Sequence, residues 1–242
     1  MLRYETGAPK RSAVAAMSAL LATLAVGSAA SADAVIVKPT EAQSKDTFVY
    51  SFLPTFNFNA PASGFHTILA SGRSTSAHDL RTLIQFDLSG VNLAPGEIAT
   101  LNLFISGGNI GFPVISPSPG FGVTTDVFAN TSDWSADTVN WSNQPSFAPT
   151  ALDTQVIDGI GRYVTFDVTA QVQAWLANPS SNFGFSIQQR DVVVNGGSVQ
   201  AIYHSSSNEN RPFLYAGPVP EPTVALAVAA GGFALLSRRR RA

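Results

Sequence analysis

The sequence predicts an all-β protein, a body of two packed antiparallel sheets with one short helix, carried between two apolar terminal segments. Three observations support that class. Short β-branched and aromatic runs recur between Ala34 and Gly217, separated by Gly, Pro, Asn and Ser clusters, which is the pattern of an antiparallel sandwich. Several runs alternate: Leu101, Leu103 and Ile105 share one side of a strand while Asn102 and Ser106 fall on the other, as a half-buried strand requires. A single segment carries a helical period instead, and many short strands with one helix fit two packed sheets better than a layered α/β design.

Taken in order, the chain begins with Arg3, Lys10 and Arg11, an apolar run from Ala13 to Val26, and the small residues GSAASADA. Charge, grease and small residues in that order are a secretory signal peptide. Ala30-Ser31-Ala32 and Ala32-Asp33-Ala34 both satisfy the cleavage rule, so the signal peptide covers residues 1–32 with the cut at Ala32 or at Ala34. The predicted strands follow as AVIVKP, DTFVYSF, HTILAS, TLIQFDL, ATLNLFIS, GVTTDVFA, YVTFDV, FGFSIQ, VQAIYHS and PFLYAG. GNIGFPVISPSPGFG is too rich in Pro and Gly to pack and reads as a surface loop. In DVTAQVQAWLANPS, Thr169 can cap a helix, Val172, Trp175 and Leu176 share a face, and Pro179 ends it; this helix is expected to close one end of the sandwich.

Residues 218–242 form a separate unit. Pro220-Glu221-Pro222 precedes an apolar stretch from Val224 to Leu236, and Arg238, Arg239, Arg240 and Arg241 follow. As a helix those 13 residues reach about 20 Å at ~1.5 Å each, against a bilayer core of about 30 Å. The arginines would stay cytoplasmic and stop transfer of the chain. A short span, a stop-transfer cluster and a stiff Pro-Glu-Pro describe a temporary hold with a cutting site. The arrangement resembles the PEP-CTERM sorting signal of Gram-negative bacteria, which implies processing by an exosortase, a membrane transpeptidase, in organisms that build exopolysaccharide.

Composition narrows the function of the body. The whole chain has a net charge of -2, but residues 33–217 carry 14 acids and 7 bases, a net charge of -7. Such a body repels nucleic acid, and no basic stripe offsets that. Without cysteine there are no disulfides and no thiolate metal sites. Catalytic signatures are missing as well. His66, His78 and His204 have no metal-binding spacing, there is no G-x-S-x-G and no phosphate loop, and the glutamates of the body are Glu41, Glu97 and Glu209. The expectation is a non-catalytic protein.

Aromatic residues are the next candidates. In ANTSDWSADTVNWSNQP, Trp134 and Trp141 bracket a polar turn. They are either a platform for sugar rings or core plugs whose indole N–H groups meet loop carbonyls, and the second role is favoured because large aromatics usually anchor a sandwich. In FVYSFLPTFNF, Tyr50, Phe56 and Phe58 offer alternative stacking faces, while the alternation of Phe48, Tyr50 and Phe52 puts at least one face of that strand in the core. Asp87, Asp133, Asp137 and Asp167 are candidate calcium ligands in an acidic, exported, oxygen-rich domain. Asp87 and Asp167 each follow an inward aromatic at a strand end, where the default role is to accept backbone N–H groups or an arginine such as Arg81 or Arg211.

RTLIQFDLSGV, ATLNLFIS, TSDWSADTVNWSNQP, VTFDVTAQVQAWLANPSSNFGFSI and SSSNENRPFLYAG occur in the order seen in the DNRLRE domain, also described as carbohydrate-binding module family 96. The resemblance spans Lys45 to Gly217. It implies a jelly-roll-like β-sandwich, secreted, with polysaccharide as partner and polyuronates such as alginate bound by some members. A polyuronate would need a basic patch from Arg73, Arg162, Arg190 or Lys45, or bridging calcium, to approach a body at -7; a neutral glycan needs neither. The combined expectation is an exported matrix protein of the cell surface that binds or scaffolds exopolysaccharide, with a purely structural or adhesive role as the first alternative and a polysaccharide lyase or hydrolase as the more distant one.

Overall fold

The computed structural model describes residues 33–73, 78–107, 114–115, 122–190 and 198–219. The expected signal peptide through Ala32 and the expected sorting segment from Pro220 onward lie outside the described residues. The described residues form twelve strands: β1 Val35–Val37, β2 Lys45–Tyr50, β3 Ile68–Arg73, β4 Asp79–Gln85, β5 Ile98–Ile105, β6 Val114–Ile115, β7 Val123–Ala129, β8 Asp153–Ile157, β9 Arg162–Asp167, β10 Phe185–Gln189, β11 Ser198–His204 and β12 Phe213–Gly217. The helix α1 spans Thr169–Ala177.

The fold is an all-β sandwich, as predicted. One layer runs β1-β12-β5-β9 and the other β2-β4-β10-β7-β8, every ladder in them antiparallel. The β3–β11 pair joins them, through Tyr203 opposite Ile105 on one side and Gly72 opposite Leu80 on the other. The main core lies between the layers. Leu101, Leu103, Phe166 and Leu214 from the first meet Ile84, Val127, Phe185 and Ile187 from the second, each set being the in-phase half of its strands.

The predicted strands are all present, with two additions. β6 pairs in parallel with β11 inside the segment expected to be a surface loop. β8, with sequence DTQVI, is an edge strand in which Ile157 alone is fully buried, so its hydrophobic alternation is too sparse to stand out. The helix lies where expected, and Val172 and Trp175 bury against the core. Its cap differs: Val168 is the N-cap residue and Thr169 the first helical residue. The Thr169 hydroxyl turns instead to the neighbouring strand, accepting from the Ala99 N–H at 2.9 Å, while Asp167 accepts from the Thr169 N–H at 2.9 Å and from its hydroxyl at 2.6 Å. The carboxylate thus serves the helix N-terminus in place of the threonine.

The outer faces of the two layers are treated differently. Residues 131–146 form a strap across β2 and β4, packing Trp134 and Val139 on Val49 and Leu83. The strap is tied to the 51–67 loop, because Asn57 Nδ2 donates to the carbonyls of Ala136 and Val139 and the Ser142 N–H donates to the Pro54 carbonyl. Both faces of β2 are consequently buried. On the β12-β5-β9 layer no comparable strap is found among the described residues, and that face carries aromatic rings.

Candidate functional site

The strap decides the fate of most of the predicted stacking residues. Trp134 is 7% exposed, its indole N–H donates to the Phe183 carbonyl at 2.9 Å, and Lys45 Nζ lies 4.9 Å from its ring centroid. It is a core plug, the favoured of its two readings. Trp141 is half-buried and its ring is taken by the Arg81 guanidinium at 4.5 Å. Tyr50 and Phe58, expected as alternative sugar platforms, are 6% and 3% exposed. They pack with Phe48, Ala70 and Leu80 in a second cluster, with Phe65 against it, so neither presents a ring to a ligand, whereas Phe56, the third of those platforms, is 40% exposed and its neighbour Phe52 51%.

The four aspartates do not form one set. Asp133 bonds Lys45 Nζ at 2.9 Å; that hydrogen bond, together with the Trp134 backbone N–H, holds its carboxyl below the usual carboxylate range. Asp137 lines a polar cleft of about 700 Å³ shared with Glu41, Asn59 and His66. Asp87 sits at the far end of β4, where Oδ1 accepts the Ser89 N–H at 2.9 Å. Asp167 is engaged with Thr169. Among the described residues no three His, Cys, Asp or Glu side chains gather as metal ligands do. Asp87 and Asp167 accept backbone N–H groups, as expected, but neither meets an arginine. Arg81 donates to Gln144 Oε1 and Arg211 to the Pro39 carbonyl, drawn away by partners closer in the fold.

The open face presents a different arrangement. Phe104 projects outward from β5, Tyr163 from β9, Phe213 and Tyr215 from β12, and His204 from β11, each half-buried. Register brings them together: Phe104 stands opposite Tyr163, and Phe213 opposite Asn102. Phe104 meets Tyr163 edge-on with centroids 5.2 Å apart, Tyr163 meets Phe213 at 5.1 Å, and Phe104 lies 4.9 Å from the His204 ring. Asn102, buried among them, is locked by Thr165, whose hydroxyl donates to Oδ1 at 2.8 Å, and by bonds from Nδ2 to Thr100. Burial lowers the His204 pKa and raises that of Tyr163, so both rings are neutral at neutral pH. The result is a rigid, uncharged mosaic of rings with polar edges, held by strands rather than loops.

Sequence reasoning overlooked these residues although a signal for them exists. In each strand the aromatic sits on the phase that should be polar: Phe104 beside inward Leu103, Tyr163 beside inward Val164, Phe213 beside inward Leu214. Large rings on the solvent phase of three neighbouring strands pack on one another outside the core between the layers.

The family model of carbohydrate-binding module family 96 matches residues 38–216, nearly the whole body and both outer faces. The chain belongs to that family. No curated protein matches it at a significant level. Membership in carbohydrate-binding module family 96 gives the partner of the domain as carbohydrate, a role that is typically non-catalytic.

The four cations expected to make a basic patch are each ion-paired, while Lys38 is exposed at the end of β1. Lys45 pairs with Asp133, Arg73 with Asp79 at 3.5 Å, Arg162 with Asp158, and Arg190 with Asp126 at 2.6 Å. Those pairs lower the local positive potential that a polyuronate would use.

Proposed function

We propose that this protein is an exported, non-catalytic glycan-binding component of the extracellular matrix, and that it binds a neutral polysaccharide along the open face of β12, β5 and β9. The observation that carries the reading is the cluster of Phe104, Tyr163, Phe213 and His204 on the solvent phase of its strands. Pyranose rings present apolar C–H faces that stack on aromatic rings, and their hydroxyl groups bond the polar edges. Neutral rings and ion-paired cations favour an uncharged chain over a polyuronate for a body at -7. Calcium is not required by this mode of binding.

Export by the signal peptide brings the body to the polymer, and the Pro220-Glu221-Pro222 segment with its arginine cluster gives an exosortase a site at which to process the membrane-held precursor. Matrix glycan and cell surface are then the two ends of one route.

Affinity electrophoresis of the full chain through gels containing a neutral glucan, a galactomannan or alginate tests the binding. Retardation by a neutral polymer, weakened roughly tenfold or more in the Phe104→Ala/Tyr163→Ala double variant, is expected. Alginate should retard the protein least. Absence of retardation by every neutral polymer would overturn the reading in favour of a purely structural or adhesive protein.

A further inference from the structure

One corner of the open face carries positive charge. Val37 stands opposite Leu214 and packs on the main core, so Ile36 and Lys38 point the other way, to the side of Tyr215 and Phe213. Beyond the ladder the two chains stay together, because Arg211 Nη1 donates to the Pro39 carbonyl at 3.3 Å. Lys38 therefore lies beside Phe213. It is exposed, and Arg211 is half-buried. The backbone of Arg211 is joined to the ring cluster, its carbonyl accepting from the Tyr163 hydroxyl at 3.4 Å.

These two cations are treated unlike the rest. Of the seven bases of the body, Lys45, Arg73, Arg162 and Arg190 sit in ion pairs, and Arg81 stacks on Trp141 and donates to Gln144 of the strap. Lys38 and Arg211 join no ion pair among the described residues, although Glu41 and Glu209 are close to them in sequence. Asp167, on the solvent phase of β9, stands three strands away from β1, about 14 Å at ~4.8 Å per strand, which exceeds the Debye length at physiological ionic strength. The Pro39 carbonyl is neutral and leaves the Arg211 charge in place. Two like charges at one corner repel each other, and an anion arriving between them relieves that repulsion.

We infer that the glycan of the open face has a neutral backbone bearing isolated anionic substituents, carboxylate or sulfate, and that Lys38 and Arg211 receive one such group where the chain passes Phe213. The inference rests on the reading of the open face as the glycan site and refines its ligand. A polyuronate differs because it is charged at every sugar, so that for each group at the corner several more lie over a body of net charge -7. A sparse substituent gains the contact without that repulsion.

Binding of the full chain to immobilised galactomannan and glucan, each neutral, sparsely carboxymethylated or sparsely sulfated, tests it. At least one substituted form is expected to bind about threefold or more tightly than its neutral parent at low salt, with the difference fading as salt is raised. Lys38→Gln, at an exposed position, and Arg211→Gln should each remove most of that preference while leaving affinity for the neutral polymer unchanged; thermal melting verifies that both fold. Arg162→Gln removes an equal charge elsewhere and should keep the preference, which separates a local contact from net charge. Equal binding of neutral and substituted forms, a preference untouched by Lys38→Gln, or one lost as fully in Arg162→Gln would overturn this inference alone. Failure to bind any of the polymers would overturn the reading of the open face along with it.

Discussion

Tyr203 shows how much a single buried hydroxyl can decide. Its ring lies in the main core and its hydroxyl is 3.0 Å from that of Ser71. Burial pushes its pKa up to about 12, a rise that the Ser71 hydrogen bond partly offsets. The unfolded chain loses this proton near pH 10, whereas the fold keeps it. Between pH 10 and about pH 12 the folded state therefore binds more protons, and stability falls as pH rises, by roughly 1.4 kcal/mol per unit at most. Tyr203→Phe should lose about 1 kcal/mol at neutral pH from the hydrogen bond and show a shallower alkaline decline in its urea midpoint. Some decline persists, because burial also raises Tyr50 and Tyr163. Parallel pH profiles for the two proteins would refute the assignment. At this scale the sequence was legible only in part: the rings of Trp134, Tyr50 and Phe58 stand out as residues, but Trp134 is buried on β2 and β4, remote in sequence, and Tyr50 and Phe58 by the turn-back of the loop that joins them, neither of which periodicity shows. The rings left uncovered are betrayed only by strand phase.

Elements were more legible than their junctions. Alternation located the strands because each buries one side, and the period of Val172, Trp175 and Leu176 located α1 for the same reason. β8 escaped because an edge strand with one buried side chain has no stripe to read, and β6 because it pairs inside a Pro/Gly-rich stretch. The junction at Gly184 shows what pattern cannot convey. Its φ is +79°, and a Cβ there would lie 2.3 Å from the Ile84 carbonyl oxygen and 2.8 Å from Gln85 Cα. Immediately after it, Phe185 pairs with Ile84 on one side and Ala129 on the other, and the Gly184 carbonyl accepts the Asn130 N–H at 2.8 Å. Glycine is needed both for the backbone conformation and for the close approach. Gly184→Ala should cost about 3 kcal/mol or more, since β10 must move away from β4 or the turn must refold. Chemical denaturation measures this directly, and a midpoint near that of the unmodified protein would show that the junction yields easily.

Across the whole molecule, charge and grease are partitioned by role. The body is acidic at -7 while the last residues carry four arginines, so the two parts have opposite affinities for an anionic membrane surface. Repulsion disfavours contact between an acidic body and anionic lipid. The tail differs in charge, and its 13 apolar residues, were they helical, would span only about 20 Å of a core about 30 Å thick. A span that short would suit a precursor rather than a permanent anchor, and in the proposed sorting route Pro220-Glu221-Pro222 would mark the point of cutting. Changing those three residues to alanine leaves hydrophobicity, arginines and body intact. If they are the recognition site, the variant expressed in its native host should accumulate as a longer, membrane-associated form, while the unmodified protein is shortened and recovered from the cell surface or medium. Shortening of the variant at the normal rate would show that processing does not read Pro-Glu-Pro. Changing Arg238 to Arg241 to alanine, by contrast, should impair retention before cutting, so that the full-length chain slips past the membrane without being shortened.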